Sequence, residues 1–383
     1  MSKIKILHLT YDFAEENQGS STVVVKDLIE ESSKYLFNKI ITLKRTTKLK
    51  YFEAVVRNEN FLRINHFGFP YGLFLKSNSY LIADRIVKSF SSILKLDSID
   101  AIHAHKLTFE GFIGYKLSCI LGTKLIVSIR QTDFLVLKYR PDLIPLAKKI
   151  LTDAVLVFYI APYMKKRLSD LIGSKFLDTV IHKFHFLPNP IDFNFFQINN
   201  SVKKEFYLTV LWLHKRSVKR KNLFGLFEAI KLINIENFKL KIIGKGDYEQ
   251  KVQSKIQKLG IEDKVELLGF RENKEIKKIL SESRGLLLPS FSETFGVVYA
   301  EALLSGVPIL YSKDTGFDGI FENVGIAVDP FSIESIAEGI QYIDKYNEQL
   351  HKNISDLQAS GAFEIFRRET VGLNYTKILN DNL

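Results

Sequence analysis

Pro289-Ser-Phe-Ser-Glu293-Thr-Phe-Gly296-Val-Val-Tyr-Ala-Glu301-Ala-Leu-Leu-Ser-Gly306-Val-Pro308 is the stretch on which the reading of this chain turns. The apolar run Gly285–Leu288 before it predicts a strand, which Pro289 and Ser290 bring to an end. A helix is expected over Phe295–Ser305, stopped by Gly306 and Pro308, and the apolar run Val307–Tyr311 then predicts the next strand. Strand, loop, helix and strand in that order make a βαβ unit of a parallel sheet. With a helix starting near Phe295, the backbone amides of Thr294, Phe295 and Gly296 point beyond the carboxyl end of the strand. Such a helix start favours a phosphate or another negatively charged group, and Gly296 lets a ligand approach the backbone closely.

The same alternation runs along the whole chain. Strands are expected at Lys3–Leu9, Lys39–Leu43, Phe61–Phe67, Ile99–His103, Lys124–Ile129 and Ala154–Phe158, with Val180–Leu187 as a further candidate. Helical patterns at Val23–Lys34, Tyr80–Leu96 and Phe109–Leu121 lie between them. The turn-rich Pro188-Asn189-Pro190 and the polar Gln197–Lys204 read as a linker. Beyond it, strands are expected at Phe206–Leu213, Lys239–Ile243, Val265–Leu268 and Ile326–Val328, besides the two already named. Helices are expected at Asn222–Leu232, Tyr248–Leu259, Asn273–Glu282 and Ser332–Tyr346. A chain of 383 residues is too long for one ordinary core. The fold class is therefore α/β, with two doubly wound Rossmann-like domains, residues 1–195 and 200–362, facing a central cleft. Ligands of such sheets sit in the loops beyond the carboxyl ends of the strands.

Composition narrows the class. Hydrophobic residues make up 46% and charged residues 25%, ample for buried sheets and close to the average of folded proteins. The single cysteine, Cys119, excludes an intramolecular disulfide and a cysteine zinc site, which fits a reducing compartment. The start of the chain lacks the apolar core of a secretory signal, and no apolar run reaches the ~18–20 residues of a membrane span. The expected location is cytoplasmic or at the inner face of the cell membrane. A formal net charge of +11 suits an anionic partner. There is no helix-turn-helix, zinc-finger or RNA-recognition pattern, so nucleic acid is not the partner expected.

Glu293 and Glu301 are separated by eight residues, ~12 Å if helical, about the length over which a nucleotide diphosphate sugar extends. One carboxylate then suits sugar hydroxyls and the other ribose hydroxyls, with the diphosphate over the helix start. Neither Asp-x-Asp nor a His/Cys cluster at metal-ligand spacing is present, so no metal and no cofactor is expected. Fixed cations can neutralise a leaving group that gains charge as its bond breaks.

In its Glu-x7-Glu, Phe-Gly and Glu-Ala-x-x-x-Gly-x-Pro setting, this stretch resembles the retaining GT-B glycosyltransferases of family 4. Lys215-Arg216-Ser-Val-Lys219-Arg220-Lys221-Asn222-Leu223 is similar to their Gly-Arg-x-x-x-x-Lys-Gly block, and the resemblance implies that Arg216 and Lys221 clamp the donor diphosphate. Lys215 and Asn222 stand where the family has glycines. Gly244-Lys-Gly246 resembles the family's Gly-x-Gly turn, which places Gly244 among the donor contacts. Gly269-Phe270-Arg271 matches a loop that contacts the nucleobase, where Phe270 is either a stacking platform or a packed aromatic. Thr315-Gly316 is similar to a glycine loop after the next strand. Pro188-Asn189-Pro-Ile-Asp192 resembles the junction between the domains, and the end of the chain, about 363–383, is expected to pack back on the N-terminal domain.

In the N-terminal half, Asp100-Ala-Ile-His103-Ala-His105 resembles the family's strand ending in a histidine near the donor sugar. Alternation places both histidines on one face, so the later one, His105, is the candidate for a donor hydroxyl and His103 a residue of the core edge. Asn17-Gln18-Gly19-Ser20-Ser21 matches a glycine loop near the diphosphate and acceptor, on which Gly19 is a contact. Arg130-Gln131-Thr-Asp133 replaces a usual His-Gly, so Arg130 and Asp133 are candidates for the acceptor side.

The resemblance thus implies a metal-independent, retaining hexosyltransferase. Its N-terminal domain would bind a glycan or lipid-linked glycan acceptor and its C-terminal domain a nucleotide diphosphate sugar. Catalytic candidates are Glu293, Arg216, Lys221 and His105, and donor contacts are Glu301, Thr294, Phe295, Gly296, Gly244, Phe270 and Gly19. A role in surface polysaccharide synthesis follows from the same likeness, and Arg85 and Lys88 among the apolar residues of Tyr80–Leu96 suggest peripheral membrane contact. The rival readings are a nucleotide-sugar epimerase or phosphorylase on the same fold and, further off, a basic nucleic-acid-binding protein.

Overall fold

A computed structural model describes residues 3–13, 23–46, 52–68, 74–191 and 205–383. Gly19, with its neighbours 14–22, lies outside the described residues. The chain forms two compact units, one running to Pro190 and completed by Arg368–Leu383, the other spanning Ile191–Arg367.

The first unit is built on eight strands: β1 Lys5–Thr10, β2 Phe37–Thr46, β3 Phe52–Asn58, β4 Phe61–Phe67, β5 Ala101–Ala104, β6 Lys124–Ile129, β7 Leu156–Tyr159 and β8 Phe184–Phe186. They lie in the order β3-β4-β2-β1-β5-β6-β7-β8, parallel except where β3 runs antiparallel to β4. Strands β5 and β7 are buried along their whole length, as expected where helices cover both faces of a parallel sheet. The edge strand β3 has no counterpart in the sequence reading. Its residues are mostly exposed, Val55 and Val56 included, so no apolar alternation marks it.

The end of the chain closes this unit. In the helix Arg368–Asn382, Val371, Tyr375 and Leu379 join a core cluster with Ile6, Leu28, Ala101 and Ile126. Arg368 pairs with Asp27 at 2.6 Å, and the return begins there rather than at residue 363. Phe363 and Phe366 belong to the second unit because their rings pack on Phe321 and Phe317, at centroid distances of 5.0 and 5.8 Å.

The second unit carries β9 Tyr207–Val210, β10 Leu240–Ile243, β11 Val265–Gly269, β12 Gly285–Leu287, β13 Ile309–Ser312 and β14 Gly325–Val328. All are parallel, in the order β11-β10-β9-β12-β13-β14. Its core is apolar from both sides, with Ile242 and Leu310 on strands and Phe227, Ile230, Ile336 and Ile340 on helices. The chain enters at Ile191 and leaves at Arg367, and the Ile191 N–H donates to the Phe366 carbonyl at 2.7 Å.

Among the parallel strands of each sheet the order reverses once, between β1 and β5 and between β9 and β12. Connections leave these neighbours toward opposite faces, which opens a crevice at their carboxyl ends.

Candidate functional site

The reversal in the second unit brings together the segments after β9 and β12. The residues after β9 are the basic stretch that carries the expected diphosphate clamp, Arg216 and Lys221. They form the short helix Lys215–Arg220, with Arg216 exposed in its first turn and Lys221 just past its end. The Phe291 N–H donates to the Arg220 carbonyl at 2.9 Å and ties this helix to the loop after β12. Lys221 and Glu293 meet there in an ion pair, each side chain little exposed. Asn222, in a family glycine position, adopts the left-handed backbone with φ 55° that its short polar side chain tolerates. Its amide donates to the Pro330 carbonyl at 2.8 Å, and the following helix begins at Leu223.

Glu293 is held by its backbone. Its N–H donates to Thr315 Oγ1 at 2.8 Å, the Thr315 hydroxyl donates to the Glu293 carbonyl at 2.8 Å, and the Gly316 N–H donates to the same carbonyl at 3.0 Å. The carboxylate stem runs between Gly296 and Gly316. A Cβ at Gly296 would lie 3.1 Å from Glu293 Cγ, and one at Gly316 3.0 Å from Glu293 Cβ. Both glycines have positive φ, 80° and 58°.

The helix spans Val297–Leu304, two residues later than expected at its start, because Gly296 is left-handed and cannot be its first turn. Its leading amides are therefore those following Gly296 rather than those of Thr294 and Phe295. Phe295 is buried against Phe317 and Phe366, so its ring belongs to the core. Glu301 sits on this helix, largely buried. Burial pushes its carboxyl above the usual range, opposed by Lys277, and no hydrogen bond or ion pair holds it among the described residues.

Two further sequence candidates resolve differently. A Cβ at Gly244 would meet the Leu211 carbonyl oxygen at 1.7 Å, so the turn needs glycine to pass the end of β9, whatever ligand it meets. Phe270 is exposed rather than core-packed and stacks on Trp212 at 6.3 Å, which in turn stacks on His214 at 6.2 Å. Trp212 escaped the sequence reading. Alternation past β9 carried the signal, since Leu211 and Leu213 are buried and Trp212 and His214 exposed.

At the reversal of the first sheet, His8 of β1, His103 of β5 and His105 just beyond it are all buried. His103 Nδ1 meets Tyr375 Oη at 2.8 Å and its Nε2 meets Ser128 Oγ at 2.9 Å. His105 Nε2 lies 3.0 Å from His8 Nδ1, while its Nδ1 is buried with no hydrogen-bond partner among the described residues. One ring nitrogen from each histidine lies within 4.8 Å of the others, a spacing a metal ion accepts. The sequence reading had no sign of His8, because its partners lie on other strands.

Asp133 is not free to meet a ligand. Its carboxylate accepts the Arg130, Leu107 and Thr108 N–H groups and the Thr108 hydroxyl, which joins the loops after β5 and β6. Arg130 is engaged with Asn189 Oδ1 at 2.8 Å. Beside them lies another buried carboxyl missed in the sequence, Glu110. It accepts the Tyr11 N–H at 2.9 Å, and its other oxygen has no hydrogen-bond partner among the described residues. Burial pushes it up to about 7, against the pull of Lys106 at 3.7 Å and with the help of Asp12. Lys106 itself bridges to Asp12 at 2.6 Å.

On the helix Leu75–Leu94, Ile82, Ala83 and Ile86 are buried, whereas Leu81 and Ile93 are exposed. No helix among the described residues is long and apolar enough to cross a membrane.

Residues 191–356, nearly the whole second unit, match the family model of glycosyl transferases group 1. N-acetyl-alpha-D-glucosaminyl L-malate synthase of Bacillus anthracis is 24% identical over 324 residues, 82% of this chain and 80% of that protein. O-antigen chain mannosyltransferase B of Escherichia coli is 28% identical over 125 residues, 32% of this chain and 33% of that one. Among solved structures, Anabaena HepE in complex with UDP and glucose aligns at a TM-score of 0.67 and 17% identity, covering 99% of this chain and all of that one. That likeness shows the fold, the α/β GT-B architecture with two parallel-sheet domains. These matches are all with glycosyltransferases, the group 1 family model lying on the second unit and one relative being named for the O-antigen chain.

Proposed function

We propose that this protein is a retaining, metal-independent glycosyltransferase that moves a hexose from a nucleotide diphosphate sugar to a hydroxyl of a glycan or lipid-linked glycan. The observation that carries the reading is the pairing of Lys221 with Glu293 where the second sheet reverses, beside the start of Val297–Leu304. Donor binding exchanges this pair. The diphosphate takes the Lys221 ammonium, with Arg216 and the helix-start amides, and Glu293 turns to the sugar hydroxyls. Glu301, half-buried with Lys277 acting on its carboxyl, suits the ribose hydroxyls, and Phe270 with Trp212 offers stacking surface to the base. The HepE complex with UDP and glucose supports a donor of this class, and the O-antigen relative supports a polysaccharide acceptor.

In the reaction, the bond from the sugar C1 to the β-phosphate oxygen breaks and the acceptor oxygen bonds to C1 from the same face. Its proton passes to the departing phosphate. Arg216, Lys221 and the amides stabilise the charge gathering on that phosphate, the task a divalent cation performs elsewhere. The first unit, running to Pro190 and completed by Arg368–Leu383, is the acceptor-binding one in this reading, and a lipid-linked acceptor would bring it to a membrane surface.

Calorimetry with UDP-, GDP- and ADP-sugars, followed by transfer assays with the donor that binds, tests the proposal. Binding of one donor class, abolished in Lys221→Ala, is expected. Donor consumption without acceptor would favour an epimerase, and absence of binding to every donor would overturn the reading.

A further inference from the structure

Asn38 of β2, His8 of β1 and His105 after β5 form a row of hydrogen bonds whose direction can be worked out. Asn38 Nδ2 faces three acceptors, the Ile29 carbonyl at 3.1 Å and the hydroxyls of Ser32 and Ser33 at 3.0 Å each. Its other atom, Oδ1, is thus an acceptor, and it lies 3.1 Å from His8 Nε2. His8 is neutral, because burial lowers its imidazole to about 4 despite the bond to Asn38. A neutral ring carries one proton, and Asn38 draws it to Nε2. His8 Nδ1 is left bare, 3.0 Å from His105 Nε2. Two bare nitrogens do not face one another, so His105 Nε2 carries a proton.

His105 is also neutral. Burial comes first among the causes, followed by His103, His8, Arg130 and Lys106. Its one proton is committed to His8, so Nδ1 is a bare acceptor, buried and unmatched. An unmatched buried acceptor calls for a donor, and none stands among the described residues. A metal ion is a poor candidate, because the charges of Arg130 and Lys106 act on this ring and both nitrogens of His103 are engaged.

We propose that Asn38 and His8 are positioning residues that lock His105 as an acceptor-only imidazole for a substrate hydroxyl. The inference rests on the glycosyltransferase reading only for the statement that the hydroxyl belongs to a sugar. The lock itself is a property of the free protein.

The test uses the full chain with 15N-labelled histidine, its His105 signals assigned from a His105→Gln spectrum. Long-range 1H–15N correlation of the unliganded wild type should show His105 protonated at Nε2 and bare at Nδ1. His8→Gln offers an amide oxygen to His105 Nε2 and should keep that tautomer and nearly all of kcat. His8→Leu should admit the Nδ1-protonated tautomer and lower kcat about tenfold, the worth of one hydrogen bond. A wild-type His105 protonated at Nδ1 overturns the lock without any variant or activity, as does a His8→Leu protein with unchanged tautomer and kcat. The expected spectrum with no transfer from any nucleotide sugar would overturn the transferase reading and the sugar half of this inference, and leave the lock standing.

Discussion

Lys221 Nζ and Glu293 Oε2 form an ion pair across 72 residues of sequence, joining the segments that follow β9 and β12. Little solvent reaches either group, so removing one partner leaves the other charged and poorly hydrated. Lys221→Ala and Glu293→Ala should each cost about 2–3 kcal/mol of unfolding free energy. The double variant should cost clearly less than their sum, as urea unfolding of all four proteins would show. Transfer should fall at least about 100-fold in each single variant, the scale of losing a transition-state charge contact. Additive stabilities together with wild-type kcat would remove the pair from the site.

Gly316→Ala tests the wedge around the Glu293 side chain. The new methyl would stand 3.0 Å from Glu293 Cβ at a residue with φ 58°. Gly122→Ala is the matched control, with φ 64° and nothing within 4 Å of the new carbon. Both should lose about 1 kcal/mol to the left-handed backbone. Gly316→Ala alone should lower kcat, about tenfold or more, by displacing a carboxylate that must lie within a fraction of an ångström of its substrate. Equal kcat in the two variants would show that Glu293 is not positioned this way.

The parts of the site that sequence made legible are those written in neighbouring residues. Strand, loop and helix around Glu293 follow from Gly285–Leu288, Pro289 and the apolar run that ends at Gly306. The misplaced helix start is also local in cause. The expected helix began at Phe295, and the left-handed backbone at Gly296 delays it to Val297. What local patterns could not show are relations across strands. Asn38, His8 and His105 stand 30 and 97 residues apart and meet because β2, β1 and β5 are neighbours in the sheet. Strand β3 was hidden for another reason, since an exposed edge strand buries neither face and has no period to read.

Asn222 shows how the chain does without a glycine. At φ 55° the position needs a residue that tolerates the left-handed region. Asn222→Gly keeps the backbone and loses the bond to the Pro330 carbonyl, so it should cost about 1 kcal/mol. In Asn222→Val the same loss is joined by the strain of a β-branched residue, and about 3 kcal/mol is expected. Because Lys221 precedes this residue, the valine variant should also weaken donor binding in calorimetry, and the glycine variant should not. Indistinguishable stabilities would mean that the backbone at this position relaxes freely.

The pH dependence of the first unit should carry two opposed contributions. Burial lowers His8 from 6.5 to about 4 and also lowers His103 and His105, so the unfolded chain binds these protons first. Their contribution is complete above 6.5 and is lost as the pH falls toward 4. Glu110 has the opposite sign. Burial raises it from 4.5 to about 7, so its contribution is complete below 4.5 and is lost as the pH rises through 7. Glu110→Gln fixes the neutral form and should leave stability near pH 4.5 unchanged while raising it at pH 8. The gain should be about 2 kcal/mol, below the full linkage value because Lys106 loses a carboxylate neighbour. Urea unfolding from pH 4.5 to 8, following the first unit, reads both effects. A wild type whose stability rises steadily up to pH 8, unchanged by Glu110→Gln, would mean that Glu110 ionises at an ordinary carboxyl value and that its environment is open to water.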